Sequence, residues 1–335
     1  MFFTQQKMTI NDRVYGQFEI TDPLVLSLIQ LPQFERLKSL DQFGCYKYGF
    51  EECDVTRQEH SLGVYYLLQY FNASYEAQIA GLLHDISHTV FSHVIDYVYD
   101  DRVTQGTADR GHIDIVGKGE IRQFLDNAGL DYKRISEIEL FGLLDRDLPD
   151  LCCDRLDYFL RDSMCWDEIT QDQAKLVLSH IVVFEGMLVV DDPDIAKFIS
   201  KHSLDMTNKY WNPPYGCYIY ERLAEAVKYS VEHSIIQKSD FYTTDDEVWN
   251  KMKISGNNYI LERLNDVENI KSLKICLDKD NYDYHTSGKF RVIDPPVIYK
   301  NVLRRATDIF PDLADKIKNN RTWHDKGFYI KIVRD

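Results

Sequence analysis

The stretch AGLLHDISHTVFSHVID, running from Ala80 to Asp96, constrains this chain more than any other. It carries His84, Asp85, His88, His93 and Asp96 among leucine, isoleucine, valine and phenylalanine. Taking titratable groups out of water is costly unless a partner compensates them. A chain that keeps five of them in one apolar segment therefore folds around something they coordinate or protonate. His84 and His88 are four residues apart, so on a helix they share one face, with Asp85 adjacent to the first.

Two further segments offer groups of the same kind. TRQEHSLGV puts His60 at the start of a strongly helical run, and CCDRLDYFLRDS puts Asp154, Asp157 and Asp162 on another. Imidazole and carboxylate ligands together suit divalent iron, manganese, zinc or magnesium, with geometry rather than affinity deciding among them. His84 alone would read as a satisfied core histidine. The ordered set of segments points instead to a metal.

The rest of the chain bounds the setting. Its 335 residues make one large domain or two of ordinary size, and 44% hydrophobic with 28% charged residues supports a globular core. A net charge of -15 argues against a nucleic-acid-coating role, while leaving room for a local basic pocket for a phosphorylated small molecule. The N-terminus has no secretory pattern, and LVLSLIQL and IVVFEGMLVV are too short or interrupted to span a bilayer. Seven cysteines without a C-x-x-C pair read as reduced thiols in a cytoplasmic protein.

From Asp22 to about His233 apolar residues recur at helical spacing, with Asp22-Pro23 as a helix start. QGTADRGHID reads as a loop, and MLVVDDPD as a short strand leading into a turn. Beyond Ile254, SLKICLD, KFRVIDPPVIY and GFYIKIVRD read as strands. The expectation is a mainly α protein, with a helical domain over 1–253 and a smaller α+β part over 254–335.

In order along the chain, FERLKSLDQFG, TRQEHSLGVYYL, AGLLHDISHTVFSHVID and DRLDYFLRDS resemble successive motifs of the HD-domain phosphohydrolase superfamily. The similarity is to its deoxynucleoside-triphosphate triphosphohydrolase branch, that of the SAM-and-HD-domain proteins. KFRVIDPP resembles shorter bacterial members, and the resemblance runs from about Tyr15 to Pro296. It implies His60, His84, Asp85 and Asp154 as ligands of a divalent metal ion, with positions left open for water and a phosphate oxygen. It implies that His93 and Asp96 act near the scissile phosphate, that His88 contacts substrate phosphate, and that His112 is a further active histidine. Gln42 is implied against the sugar. Tyr158 would pack on the sugar and disfavour a 2′-hydroxyl, and Asp162 would hydrogen-bond it.

The residues themselves add to this. Asp96, three after His93, can fix that histidine's tautomer and raise its basicity. Arg57, three before His60, can clamp phosphate oxygens, and Arg155 adds positive charge. Asp157 reads as structural, paired with Arg161 four residues on. The chain departs from the family where Cys152 stands in place of an aspartate, and where His-Ile-Asp at His112 replaces His-Glu. KYWNPPYGCYIYERL, with Tyr210, Tyr215, Tyr218, Tyr220 and the Pro213-Pro214 pair, also departs from it.

The activity expected is hydrolysis of deoxynucleoside triphosphates to deoxynucleoside and triphosphate. A phosphatase or phosphodiesterase for another nucleotide is the alternative enzyme, and a nucleotide-binding regulator with an idle metal site the alternative of another class. No Gly-Tyr-Pro motif follows the HD segment, which argues against a cyclic-dinucleotide enzyme. The partners expected are the nucleotide substrate and further copies of the chain in a homo-oligomer, with neither membrane nor nucleic acid.

Overall fold

Helices begin where the sequence supplies their caps. The Asp22 side chain accepts the Leu24 and Val25 amides to start Pro23–Ile29, and a reciprocal Thr56–Glu59 box starts Arg57–Tyr70. Both satisfy amides that a helix start leaves unpaired. In the computed structural model, which describes residues 7–50, 52, 54–106 and 111–333, further helices include Tyr75–Leu83, Cys153–Cys165, Pro193–Met206 and Pro214–Glu232. Asn258–Glu268 and Pro311–Asp325 follow. The chain is mainly helical, as its periodicity predicts. No helix among the described residues is long and apolar enough to cross a membrane.

The described strands are β1 (Met8–Asp12), β2 (Gly16–Ile20), β3 (Ile181–Phe184), β4 (Met187–Val190), β5 (Lys274–Leu277), β6 (Tyr284–Thr286), β7 (Pro296–Tyr299), β8 (Val302–Arg305) and β9 (Phe328–Val333). β1 and β2 form a hairpin that the sequence reading did not anticipate. β5, β9 and β6 make an antiparallel sheet in that order. The remaining sheet runs β3-β4-β7-β8, so it takes two strands from each side of residue 254. One buried core contains Leu68, Leu82, Leu156 and Leu223 together with Ile293, Val297, Phe328 and Ile330.

Several local expectations are corrected. Of KFRVIDPPVIY, only Pro296–Tyr299 is a strand. His84 and His88 do not share a helical face, because Tyr75–Leu83 ends at His84 and the chain passes through turns until Val94–Val98. Asp85, Ser87 and Thr89, which compete with the helical backbone for hydrogen bonds, follow that end. In QGTADRGHID, residues 107–110 lie outside the described set, and His112 opens the helix His112–Val116 rather than lying in a loop.

The helices Arg57–Tyr70 and Cys153–Cys165 approach closely at Gly63. A Cβ there would stand 2.0 Å from Asp157 Oδ1 and 2.2 Å from Arg161 Nη2. Those two side chains are paired as their spacing predicts, with Arg161 Nε and Nη2 each 2.9 Å from the carboxylate. Tyr15 also donates to Asp157 at 2.8 Å, and Asp12 of β1 takes Arg161 Nη2 at 2.9 Å, so the hairpin closes the back of this network. None of these groups can yield without unpairing a buried charge. Gly63→Ala is therefore expected to destabilise the fold by ~1–3 kcal/mol, the usual range for overpacking. Chemical denaturation measures it, and an unchanged midpoint would contradict the close approach.

Candidate metal centre

Three donor atoms converge between the two helices and the end of Tyr75–Leu83. His60 Nε2 is 2.9 Å from Asp154 Oδ1 and 3.2 Å from His84 Nε2, and His84 Nε2 is 3.6 Å from Asp154 Oδ1. Donors bound 2.0–2.2 Å from one ion at tetrahedral or octahedral angles lie roughly 2.8–3.6 Å apart. The triangle fits a single divalent cation. Its orientation is set from behind: His60 Nδ1 donates to Asp157 Oδ2 at 2.7 Å, and His84 Nδ1 donates to the Gly81 carbonyl at 2.7 Å. Both Nε2 atoms therefore turn lone pairs toward the same point as a carboxylate, the outer support typical of histidine ligands. The point demands positive charge. Burial opposes a charged His60, yet the hydrogen bonds to Asp154 and Asp157 outweigh it and push the imidazole up to about 10.

Asp85 stands beside this triangle. Its Oδ1 is 3.5 Å from His84 Nε2 and 3.4 Å from His88 Nε2, while Oδ2 takes Arg57 Nη1 at 2.7 Å. Arg57 is buried rather than a surface residue, and its Nε reaches Ser92 Oγ at 2.9 Å. Burial and the Arg57 charge hold His88 well below the usual histidine range, so it is neutral. A second group, Asp145, Cys152 and Asp154, shares the last ligand. There Arg155 Nη1 lies 3.4 Å from the Cys152 sulfur and already supplies the positive charge.

The turn before His93 is held in an uncommon backbone conformation. Phe91 and Ser92 have φ of 57° and 46°, which non-glycine residues keep only when their surroundings over-determine it. Asp245 accepts the Phe91 amide at 2.7 Å, and the Ser92 hydroxyl donates to the Asp41 carbonyl. His93 then meets Asp96, whose Oδ2 accepts from Nδ1 at 3.0 Å. Burial dominates over this bond and lowers His93 to about 4, leaving it neutral near pH 7. His112 Nδ1 lies 3.1 Å from Ser87 Oγ, and burial lowers that ring to about 4 as well.

The residues given a metal-binding, catalytic or substrate-binding role from the sequence line one cavity of about 970 Å³, except Asp96, which backs His93. Gln42 Oε1, His88 Nδ1, His112 Nε2, Arg155 Nε and Asp162 Oδ1 are buried there without a hydrogen-bond partner among the described residues. Orphaned polar atoms clustered in a cavity are what a polar ligand would satisfy. Tyr158 packs edge-on to Trp211 at 5.2 Å, and Trp211 Nε1 donates to Asp162 Oδ2 at 2.8 Å. Burial raises Asp162 to about 8.

Sequence reasoning missed Trp211, Asn212, Lys289 and Arg291, which line the same cavity. The first two follow from a π-helical turn, Thr207–Trp211, that ends at the Pro213-Pro214 pair. The alternation of Lys-Phe-Arg-Val at 289–292 was a legible signal for the other two. Of the four tyrosines around that pair, Tyr220 lines the cavity, whereas Tyr218 is turned to Asp266 at 2.7 Å.

Two outcomes follow from this geometry. His84→Ala and Asp154→Ala should each lose the bound metal, measured by elemental analysis, while far-ultraviolet circular dichroism keeps the helical signal. Full occupancy in both variants would remove the triangle as the ligand set. For His93, a proton NMR titration of the metal-free protein should find the ring neutral until about pH 4. Because its folded pKa is below the unfolded value, the stability it contributes is complete above about 6.5 and is lost as pH falls toward 4. A midpoint near 6.5 would contradict the burial argument.

Comparison with known proteins bears on the same segment. The HD domain family matches residues 57–162, which contain the three converging donor residues. The chain is 30% identical over 305 residues to the metal-dependent phosphohydrolase cns2 of Cordyceps militaris, covering 86% of this chain and 84% of that protein. It is 32% identical over 329 residues to the protein YdhJ of Bacillus subtilis, covering 98% and 100%. The deoxynucleoside triphosphate triphosphohydrolase SAMHD1 of Homo sapiens is 39% identical over 102 residues, 26% of this chain and 16% of that one. Among solved structures, a phosphohydrolase of Bacteroides thetaiotaomicron shares the fold with TM-score 0.69 at 18% identity, covering 98% of this chain and 100% of that one. The convergent histidines and carboxylate, and a match to cns2 that spans most of both proteins, lead to one conclusion: the chain belongs to the HD-domain family of metal-dependent phosphohydrolases.

Proposed function

We propose that the protein hydrolyses deoxynucleoside triphosphates to deoxynucleoside and triphosphate. The observation that carries this reading is the pairing of Tyr158 and Asp162 with Asp154 on the helix Cys153–Cys165. All three line the cavity, at spacings of four residues. A nucleotide whose phosphate meets the ligands would lay its sugar along that helix. The Tyr158 ring, braced by Trp211, would then crowd a 2′-hydroxyl, and the unpartnered Asp162 Oδ1 would meet the 3′-hydroxyl. The partial similarity to SAMHD1 supports the same substrate class.

A divalent ion, when bound, acidifies water and polarises a phosphoryl oxygen. The chain's own groups do the rest. Arg57, anchored through Nε and Nη1, keeps one amino group for a phosphate oxygen, and neutral His88 offers a donor without adding charge. Water adds to the phosphorus next to the sugar, and the bond from that phosphorus to the 5′-oxygen breaks. Neutral His93, oriented by Asp96, takes the attacking water's proton at Nε2, while the departing 5′-oxygen, on the opposite side of the phosphorus, takes its proton from solvent in the cavity. His112 adds a further imidazole to the cavity lining.

Rates on dGTP and GTP test the reading, with products identified. The wild type should release triphosphate and prefer dGTP, and Tyr158→Ala should lose a preference of ~10- to 200-fold, the range that crowding gives. Equal wild-type rates on the two nucleotides, or orthophosphate as the product, would favour a general nucleotide phosphatase instead.

A further inference from the structure

The loop between β6 and β7 carries two cations into the cavity from outside the HD segment. Phe290 and Val292 join Leu204 in a small apolar cluster, while Lys289 and Arg291, alternating with them, line the cavity. The path of this loop is anchored on both sides. Tyr97 donates to the Ser287 carbonyl at 2.8 Å, Thr207 donates to the Arg291 carbonyl, and the Ile293 amide donates to Ser203 Oγ at 3.0 Å. At Gly288 a Cβ would stand 2.3 Å from Asn212 Oδ1 and 3.0 Å from the Tyr97 hydroxyl. Asn212 cannot swing aside, since His324 Nδ1 holds its amide at 3.0 Å. Glycine is needed for the loop to seat here.

Neither cation has a carboxylate partner among the described residues. Lys289 Nζ reaches only the Thr104 carbonyl, at 3.5 Å, and the Arg291 guanidinium meets the Gln105 side chain. Arg155 is in the same position: its guanidinium bonds the Asp150 and Arg146 carbonyls and the Cys152 sulfur. Burial lowers the Lys289 pKa, and the neighbouring charges of Arg291 and Arg155 lower it further. Asp145 and Asp154 lie near enough to favour the charged forms of Arg155 and Lys289, but none of the three cations is ion-paired to a carboxylate among the described residues, and together they form a seat that an anion would complete.

We propose that Lys289 and Arg291, with Arg155, bind the distal phosphates of a nucleoside triphosphate, so that the C-terminal part selects a polyphosphate chain over a monophosphate. The inference rests on the triphosphate substrate proposed above and adds residues to that site. Calorimetry on the metal-loaded protein tests it, with dGMP and with a dGTP analogue whose 5′-oxygen is replaced by methylene, which lacks the bond that the proposed reaction breaks. Lys289→Gln/Arg291→Gln should weaken the analogue by roughly tenfold or more and dGMP by less than about twofold, as lost charge-assisted bonds require. Equal losses for both ligands, no loss, or a wild type that binds the analogue no tighter than dGMP would each overturn it.

If the double variant does not fold, the wild type still decides. Acetylation of Lys289 by acetic anhydride, read by mass spectrometry, should be blocked by the analogue and not by dGMP, and equal labelling in all cases refutes the seat. A wild type that binds the analogue through these residues yet releases no triphosphate from dGTP would fail the proposed reaction and leave the seat standing. A wild type that releases triphosphate, with a double variant of unchanged affinity, would fail the seat alone.

Discussion

Asp157 accepts hydrogen bonds from three sides, and the rest of the centre depends on it. Tyr15 and Arg161 Nη2 meet one oxygen, while His60 Nδ1 and Arg161 Nε meet the other. Through His60 it decides which ring nitrogen faces the ion, and through Arg161 it compensates a charge that is fully buried. Arg161 in turn reaches Asp12, so a hairpin some 140 residues earlier in the chain is tied to the ligand helix. The close approach at Gly63 brings these groups within reach of one another. A looser helix pair would leave a buried carboxylate and guanidinium unpaired, so the packing and the electrostatics require each other.

The second support is more remote. Asp245, at the start of the helix Asp245–Ile254, accepts the amides of Phe91 and Asp41 at 2.7 and 2.8 Å. It holds both chains that flank Arg57: the Ser92 turn, which bonds the guanidinium, and the segment leading to Gln42. Two consecutive left-handed residues are tolerated because several fixed bonds determine them. The result is a short reversal that aims His88 and His93 into the cavity, where an uninterrupted helix would have carried them past it.

Within that cavity, environment rather than residue type assigns the charge states. His60, between two carboxylates, is driven toward positive charge. His93 and His112, buried without enough compensation, stay neutral near pH 7. Asp162, sunk against Trp211, is raised to about 8. Groups of similar ordinary pKa are thus pushed apart, which lets one small volume contain a cation site, neutral imidazoles and a carboxyl group that holds its proton.

The helices, their caps and the ligand residue types were legible in the sequence, because periodicity, capping side chains and His/Asp spacing act over a few residues. The pairing of Asp157 with Arg161 was legible for the same reason. Legibility ended where distant segments meet. The break after Leu83, the β1–β2 hairpin behind Arg161, and the sheet joining β4 to β7 depend on partners more than a hundred residues away or on strained turns. Trp211 reaches the cavity from a π-helical turn, and Arg291 from a C-terminal loop that Gly288 lets seat against Asn212. The sequence by itself determined which groups can bind a metal and carry protons. The tertiary structure alone decided which of them converge, since a triangle a few ångströms wide is set by helix separation and side-chain anchoring, and no local pattern encodes either.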